Sequence, residues 1–531
     1  MPADPLPGNP LDNETIWGVA GATIAASCPE VDALSTRSLL DLLRAGAAHD
    51  PTAIALVSQT SSLRYEDILG LAQRAAFAVA QLVPLGQAVA CVLPRTPEAM
   101  AGLLGCLLAG RLCLVLDLAQ PVDRLAVALA DAAPAALMLA EPLPFETTAP
   151  VLMLRDAMAG PDRDWHPEHD WDPDAPFAVY FTSGSSGRPK GIVVSARYIF
   201  HRALAMAQYY AITERDCVFH AVASTTSNGL ACVLGGLFRG ARVLLAAVAR
   251  EGAGALVRLI ERETVTCATI PPPVLRLLFQ LERARFAFRA LRTLRIGSTG
   301  LSRADLAAWR PLLPADCEIW HNYASTEAQN VADGIVPADD TGEEPTVAAG
   351  LLQPWHDYAL LGEDDRPVPF GEPGELVLRS RYVALGEWQD GRLVSSRMPP
   401  VPDRPGWRYF RTGDLVRIQP DGMLRVVGRV DRQITINGIR VEPAEIEAIL
   451  RSDPAVTDAA VVAKPSANGT TLHAFVSSTE VDRTALVAAL GRRLAAALPM
   501  SHRPANLAVL QSLPLLANGK TDLVELANRT T

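Results

Sequence analysis

Mobile positive charge is scarce in this chain: only three lysines, Lys190, Lys464 and Lys520, occur among the 48 basic residues of its 531. Arginine supplies the rest, so a lysine in a glycine-rich setting needs a reason; a compact ammonium and a planar guanidinium are not interchangeable. Basic residues are outnumbered by 58 acidic ones, giving a formal charge of −10. No positive field is offered to nucleic acid or to an anionic membrane. Long apolar runs are missing as well. The longest, residues 99–110, is closed by Glu98 and Arg111 and falls short of the roughly 20 residues a bilayer requires. No basic residue precedes Arg37, so the positive start of a secretory signal and the arginines of a transit peptide are lacking, and a cytoplasmic location is expected. Eight cysteines, from Cys28 to Cys317, include no Cys-x-x-Cys pair. Reduced, buried thiols are expected, not a disulfide frame or a sulfur-bound metal.

What is present, 49% hydrophobic and 20% charged residues, fits a folded globular chain. The length accommodates three to four domains of roughly 150 residues, or one large α/β unit with an appendage. Residues 1–37 read as an extension. From residue 38 to about 313, short β-branched or continuous apolar runs (54–58, 88–93, 112–116, 177–181, 242–247, 267–270) alternate with amphipathic stretches such as 65–82 and 253–263. That alternation predicts α/β layers around largely parallel sheets. Beyond residue 358 the texture shifts to short strands, with a hairpin turn at Pro420-Asp421-Gly422. After residue 431 a strand, a helix (443–451), two strands (456–463, 471–477) and a helix (484–498) predict a small α+β domain. The expected division is an extension 1–37, a core domain 38–430 made of layered α/β subdomains with a small β-rich part, and a small domain 431–531.

The strand 177–181 runs directly into Thr182-Ser183-Gly184-Ser185-Ser186-Gly187-Arg188-Pro189-Lys190-Gly191. Small residues let backbone N–H groups and hydroxyls approach an anion closely, and Lys190 adds a movable charge, a combination suited to nucleotide phosphates. It is not a Walker loop, because Pro189 and Gly191 stand where that loop needs Gly and Ser or Thr. Other motifs follow in order: His321-Asn322-Tyr323-Ala324-Ser325-Thr326-Glu327, Gly374-Glu375-Leu376, Tyr409-Phe410-Arg411-Thr412-Gly413-Asp414-Leu415, Gly428-Arg429-Val430-Asp431-Arg432-Gln433, Asn437-Gly438-Ile439-Arg440-Val441-Glu442-Pro443 and Asn518-Gly519-Lys520-Thr521-Asp522.

This series resembles the adenylate-forming superfamily, which includes acyl-CoA synthetases, adenylation domains of nonribosomal peptide synthetases and firefly-type luciferases. The tyrosine motif departs from the family's Asn-x-Tyr-Gly-Pro-Thr-Glu at His321, Ala324 and Ser325. The resemblance implies that an acid is activated with ATP in the presence of Mg2+. In that reaction one anion attacks another, so cations must converge on the α-phosphate. By resemblance, Thr182, Ser183, Gly184, Ser185, Ser186, Gly187 and Lys190 hold the departing pyrophosphate. Tyr323 stacks on adenine, Thr326 contacts phosphate, Glu327 coordinates magnesium, Asp414 accepts from both ribose hydroxyls and Arg429 touches the ribose. Lys520 is similar to the family's mobile catalytic lysine, and Asp431 to the hinge about which the small domain turns, presenting Gly438 to the site.

Relatives that activate α-amino acids place an Asp after the first glycine-rich loop to pair with the ammonium. Here no carboxylate lies between Asp216 and Glu251, and an unpaired ammonium in a closed pocket costs several kcal/mol. An acid without an α-ammonium is expected, aryl or hydroxylated, with His220, Ser227, Asn228 and Ser298 as pocket contacts. Residues 498–504 resemble the corresponding motif of nonribosomal adenylation domains, which implies a carrier-protein phosphopantetheine thiol acting in trans as acceptor. CoA, an amine or a hydroxyl remain alternatives, as does a catalytically silent nucleotide-binding protein of this fold. The run Trp165-His166-Pro167-Glu168-His169-Asp170 reads as a solvated loop rather than a metal site.

Overall fold

The computed structural model describes the chain except residues 1–10, 12–15, 20–28, 119–121, 162–163, 167–169, 184–188, 222, 247, 298–299, 339, 341, 343, 345, 431–433, 437–438, 442, 467–468, 481, 499–502, 517–519 and 530–531. Strands Ala88–Leu93 and Leu112–Asp117 are buried along their whole length, as expected of parallel strands covered on both faces. They sit in an eight-stranded sheet ordered Arg392–Val394, Gly386–Gln389, Pro189–Ser195, Pro176–Ser183, Leu112–Asp117, Ala88–Leu93, Ala136–Leu139 and Val151–Met153. A nine-stranded sheet runs Leu351–Leu352, Gln329–Ile335, Glu318–Ser325, Thr293–Ile296, Cys267–Thr269, Cys217–His220, Arg242–Leu244, Ile54–Val57 and Ser62–Arg64. The nine-stranded sheet is parallel at its centre and antiparallel at both edges, whereas the eight-stranded sheet is antiparallel on the Arg392–Val394 side and parallel from Pro176–Ser183 through to Val151–Met153. The expected largely parallel character holds except at those antiparallel edges.

Period-two alternation assigns each strand's two faces to different cores. Val89 and Cys91 pack with Ala178, Val218 and Val243 around the helices Tyr65–Leu82, Pro97–Leu108, Ala196–Tyr209 and Ser227–Phe238, which fill the space between the sheets. Ala88, Ala90 and Val92 face the other way, onto the helix Val122–Ala132. The far face of the nine-stranded sheet is covered by Ala253–Arg262, Pro272–Phe279 and Arg303–Trp309. Two central helices come close because of glycine: a Cβ on Gly105 would stand 2.4 Å from that of Ala75.

A third, five-stranded antiparallel sheet orders Gly18–Val19, Asp357–Leu361, Gly374–Ser380, Arg408–Ile418 and Leu424–Arg429. Its last two strands are joined through the expected turn, where Gly422 adopts φ +82 and its N–H donates to the Gln419 carbonyl at 2.9 Å. Strand Arg408–Ile418 begins seven residues earlier than the apolar run 415–418 indicates, because its pairing with Gly374–Ser380 supplies the backbone partners that side-chain pattern does not reveal. The helices Pro443–Arg451 and Arg483–Ala497 pack on strands Asp458–Ser466, Gly469–Ser477 and Asn506–Leu510 around separate apolar cores. The seven described cysteines are all buried and free. Among the described residues no helix is long and apolar enough to cross a membrane, and no group of three His, Cys, Asp or Glu side chains could hold a metal. Trp165 is buried and donates to the Leu108 carbonyl at 3.0 Å; residues 167–169 lie outside the described residues.

Candidate active site

Lys190 opens the strand Pro189–Ser195 and faces Thr182 across the antiparallel pairing with Pro176–Ser183. That pairing confirms a strand leading into and out of the glycine-rich loop. Gly184, Ser185, Ser186 and Gly187 lie outside the described residues, as do Ser298, Asp431 and Gly438, and only the backbone of Thr182 and Ser183 is described. The Lys190 ammonium stands 4.0 Å from Glu387 Oε1. The same oxygen takes an N–H from Arg397 at 2.9 Å, and Gln389 donates to Oε2 at 2.8 Å. Glu387 and Arg397 come from a different motif-free stretch, and sequence reading missed both.

The tyrosine motif forms the end of strand Glu318–Ser325 and the turn after it. Gln329 closes that turn at φ +60, a left-handed conformation that a side chain other than glycine adopts only when held. Tyr198, from the helix Ala196–Tyr209, holds it. Its hydroxyl donates to the Thr326 carbonyl at 2.8 Å and accepts from the Gln329 N–H at 3.1 Å, and its own carbonyl accepts from Gln329 Nε2 at 2.8 Å. The Ala384 N–H donates to the Glu327 carbonyl at 2.7 Å. Thr326 and Glu327 are thus fixed through their backbone carbonyls.

Tyr323, Asp414 and Arg429 are brought together. The Tyr323 hydroxyl donates to Asp414 Oδ2, and Arg429 Nη1 donates to Oδ1 at 2.8 Å. Asp414 lies within the strand Arg408–Ile418, 8% exposed, rather than in a turn, and each of its oxygens keeps a second lone pair for a further donor. Burial raises the pKa of Asp414, and Arg429, Tyr323 and Lys520 oppose the shift. Burial likewise raises Glu327, opposed by its own backbone N–H and then by Arg397, Lys520 and Arg429. One cation on the C-terminal segment, Lys520, therefore acts on both carboxyls of a site built by the core. Arg397, which shares Glu387 with Lys190, acts on Glu327 too. Burial also pushes the Tyr323 hydroxyl well above its ordinary range, so it stays a donor.

The proposed acid pocket starts at the helix Ser227–Phe238, capped by Thr226, whose hydroxyl accepts from the Gly229 N–H at 3.0 Å. Gly229 is required there: a Cβ would lie 2.0 Å from the Ala223 carbonyl oxygen. Asn228 and His220 are joined by a 3.0 Å hydrogen bond from Asn228 Nδ2 to His220 Nε2, while Ser227 and Asn228 both accept from Arg202. A small cavity lined by Arg95, His220, Ser224, Gly229, Val233 and Leu244 adjoins them, and its Arg95 pairs with Asp117 at 3.0 Å. No carboxylate contacts Ser227 or Asn228 among the described residues; the charged partners are the arginines Arg202 and Arg295.

Comparison with known proteins agrees with this geometry. Residues 43–388 match the family of AMP-binding enzymes, and residues 445–520 match the AMP-binding enzyme C-terminal domain. The chain is 30% identical over 91% of its length to a dimodular nonribosomal peptide synthase of Bacillus subtilis (strain 168) and 28% identical over 91% to tyrocidine synthase 3 of Brevibacillus parabrevis. It spans only 20% and 7% of those two proteins. Among solved structures, the anthranilate CoA ligase AuaEII in complex with anthranoyl-AMP superposes with a TM-score of 0.79 at 20% identity, covering 92% of this chain and 96% of that one. Klebsiella oxytoca NpsA in complex with 3-hydroxyanthranilyl-AMSN gives 0.77 at 22% identity, covering 93% and 99%. At such identities the structural likeness concerns the fold; the family match spans most of the chain. The chain therefore belongs to the AMP-binding enzymes, the adenylate-forming superfamily.

Proposed function

We propose that this chain activates a carboxylic acid lacking an α-ammonium and passes the acyl group to a carrier-protein phosphopantetheine thiol in trans. In the first step a carboxylate oxygen of the acid bonds to the α-phosphorus of ATP as the bond to the bridging oxygen of pyrophosphate breaks. In the second, the thiol sulfur bonds to the acyl carbon, AMP leaves with the bonding pair, and the thiol proton passes to solvent. The observation that carries this reading is the assembly of Tyr323 and Arg429 on the two oxygens of Asp414, with Lys520 among the cations that oppose the raised pKa of both Asp414 and Glu327. An ammonium at that point neutralises charge building on the α-phosphate, the largest demand of the reaction.

Lys190 and the loop before it meet the departing pyrophosphate, and Arg397 adds a second positive group on the same side. Asp414, with Tyr323 and Arg429 fixing its two oxygens, accepts from the ribose hydroxyls. Apart from its own backbone N–H, the Glu327 carboxylate engages no hydrogen-bond or ion-pair partner among the described residues, and a hard oxygen donor in that state fits magnesium. Bound there, the ion supplies charge neutralisation to the phosphates. The hinge near Asp431, the division at residue 430 and the pyrophosphate contacts of Ser185 and Ser186 belong to the same proposal. The location in the cytoplasm does as well.

ATP–pyrophosphate exchange with a panel of aryl, hydroxy, dicarboxylic and α-amino acids tests the reading. Exchange with acids of the first three kinds and little with α-amino acids is expected. Strong activation of an α-amino acid contradicts the missing-counterion argument, and exchange with no acid favours a silent nucleotide-binding protein.

A further inference from the structure

Behind Ser227 and Asn228 lies a buried cation that the adenylation chemistry does not call for. Arg202 is 2% exposed. Its Nη1 donates to Ser227 Oγ at 3.2 Å and to the Ser325 carbonyl at 3.5 Å, its Nη2 donates to Asn228 Oδ1 at 3.0 Å, and its Nε finds no acceptor. Every acceptor is neutral. Among the described residues no carboxylate pairs with Arg202, whereas its neighbour Arg295, 1% exposed, lies 3.6 Å from Asp333 Oδ2. Asp333 is fully buried and already accepts from Tyr210 at 2.7 Å and Asn330 at 2.8 Å. Arg295 reaches the same Asn228 oxygen as Arg202, at 3.2 Å. The cluster thus holds two guanidinium groups and one carboxylate.

A buried charge without a counterion is costly, and removing a partner from a buried pair destabilises strongly. Such an arrangement persists where a ligand supplies the missing charge. The position of Arg202 says which ligand. Tyr198, one turn earlier on the same helix, donates to the Thr326 carbonyl, so the guanidinium lies directly beneath the turn that presents Thr326 and Glu327. On its other side are Ser227 and Asn228, with the cavity of His220, Val233 and Leu244 beyond. The reacting carboxylate belongs with Lys520, and Val233 and Leu244 offer apolar contact to a carbon skeleton. The remaining anion must then be a second one on the substrate.

We propose that Arg202 selects the acid by pairing with a second carboxylate, so that the preferred substrates are dicarboxylic acids, one carboxylate reacting and the other held by the guanidinium. This rests on the acid-activation reading above and narrows its acid. A planar guanidinium suits the task because it meets a carboxylate with two parallel hydrogen bonds.

The test is ATP–pyrophosphate exchange by the full chain with acid pairs that differ only in the second carboxylate, butyrate against succinate and benzoate against phthalate, in wild type, Arg202→Met and Arg202→Lys. The wild type should favour the diacid of a pair by about tenfold or more in kcat/KM. Arg202→Met should abolish that preference by raising KM for the diacid while KM for ATP stays put, and Arg202→Lys should restore part of it. Ligand-free Arg202→Met should melt no lower than wild type, since it removes an uncompensated buried charge, and should lose the stabilisation that the diacid gives the wild type. A wild-type preference for the monoacid, or a diacid preference that survives in Arg202→Met, overturns the proposal. So does a lower ligand-free melting temperature with unchanged selectivity, which marks Arg202 as structural. Exchange with no acid contradicts acid activation itself, a different failure from loss of the diacid preference alone.

Discussion

The nucleotide half and the acid half of this site are built on opposite electrostatic plans. Around the nucleotide, buried carboxyls meet cations: Asp414 with Arg429, and Glu387 between Lys190 and Arg397. Around the acid, Arg202 meets an amide, a hydroxyl and a carbonyl, while among the described residues Arg295 and Arg95 find carboxylates, Asp333 and Asp117. A site for ATP must hold a polyanion and release it, so its own carboxylates hold the cations and temper their charge. A site for an organic acid needs a counterion only where the acid carries a charge. On the proposal made above, substrate identity is read by the uncompensated cation Arg202 and not by the phosphate machinery.

Lys520→Ala should break the nucleotide half most severely. Exchange should fall roughly 10²–10³-fold, the usual cost of one preorganised charge stabiliser, while the melting temperature holds, because Lys520 is exposed. Near-normal turnover would remove it from the mechanism. Glu327→Gln should cost about 10²-fold in kcat and raise the magnesium concentration needed for half-maximal exchange; an unchanged magnesium dependence contradicts the metal role. Because burial raises both Glu327 and Asp414, they take up protons at higher pH than ordinary carboxyls. Activity should therefore fall as pH drops through a region above the usual carboxylate range. In stability the sign is opposite: a carboxyl raised by folding favours the fold below its unfolded value, and that contribution is lost as pH climbs through the folded one. Replacing Glu327 by Gln should accordingly stabilise the ligand-free chain at neutral pH relative to acid pH.

Arg202→Met sharpens the comparison from the acid side, since it should change which acid is used and leave the ATP dependence alone. Tyr198→Phe should have the smallest effect on activity, a few-fold. The lost hydroxyl leaves the Thr326 carbonyl and the Gln329 N–H without their partner, which should destabilise the chain by about 1–3 kcal/mol. A wild-type melting curve would show that the left-handed Gln329 turn is held by something else.

The two halves also differ in how far they could be read from sequence. Lys190, Tyr323, Thr326, Glu327, Asp414 and Lys520 sit in contiguous runs whose spacing is set by a strand and its turn, so local pattern exposes them. Helices such as Tyr65–Leu82 and Pro443–Arg451 were legible to the residue for the same reason, since apolar periodicity and terminal signals are local. Arg202, Arg295, Tyr198 and Gln329 were not. Their roles arise from packing between separate segments, 25 residues apart for Arg202 and Ser227 and 67 for Arg295 and Asn228, and in a chain so rich in arginine a buried one carries no local mark. One clue was available: Arg202 lies in a helix that is otherwise almost wholly apolar or aromatic on its buried side. The absence of a carboxylate near Ser227 was legible, but not that a cation, Arg202, stands there.

The central claim is that Lys190 and Lys520, far apart in the chain, converge on one nucleotide. Three lysines make it directly measurable, because Lys464, whose ammonium donates to the Arg529 carbonyl away from the site, is a built-in control. Amine-reactive labelling followed by peptide mass analysis, with and without MgATP, should show Lys190 and Lys520 shielded by nucleotide and Lys464 labelled equally in both. Labelling of Lys520 at the same rate with saturating MgATP as without it would contradict the account.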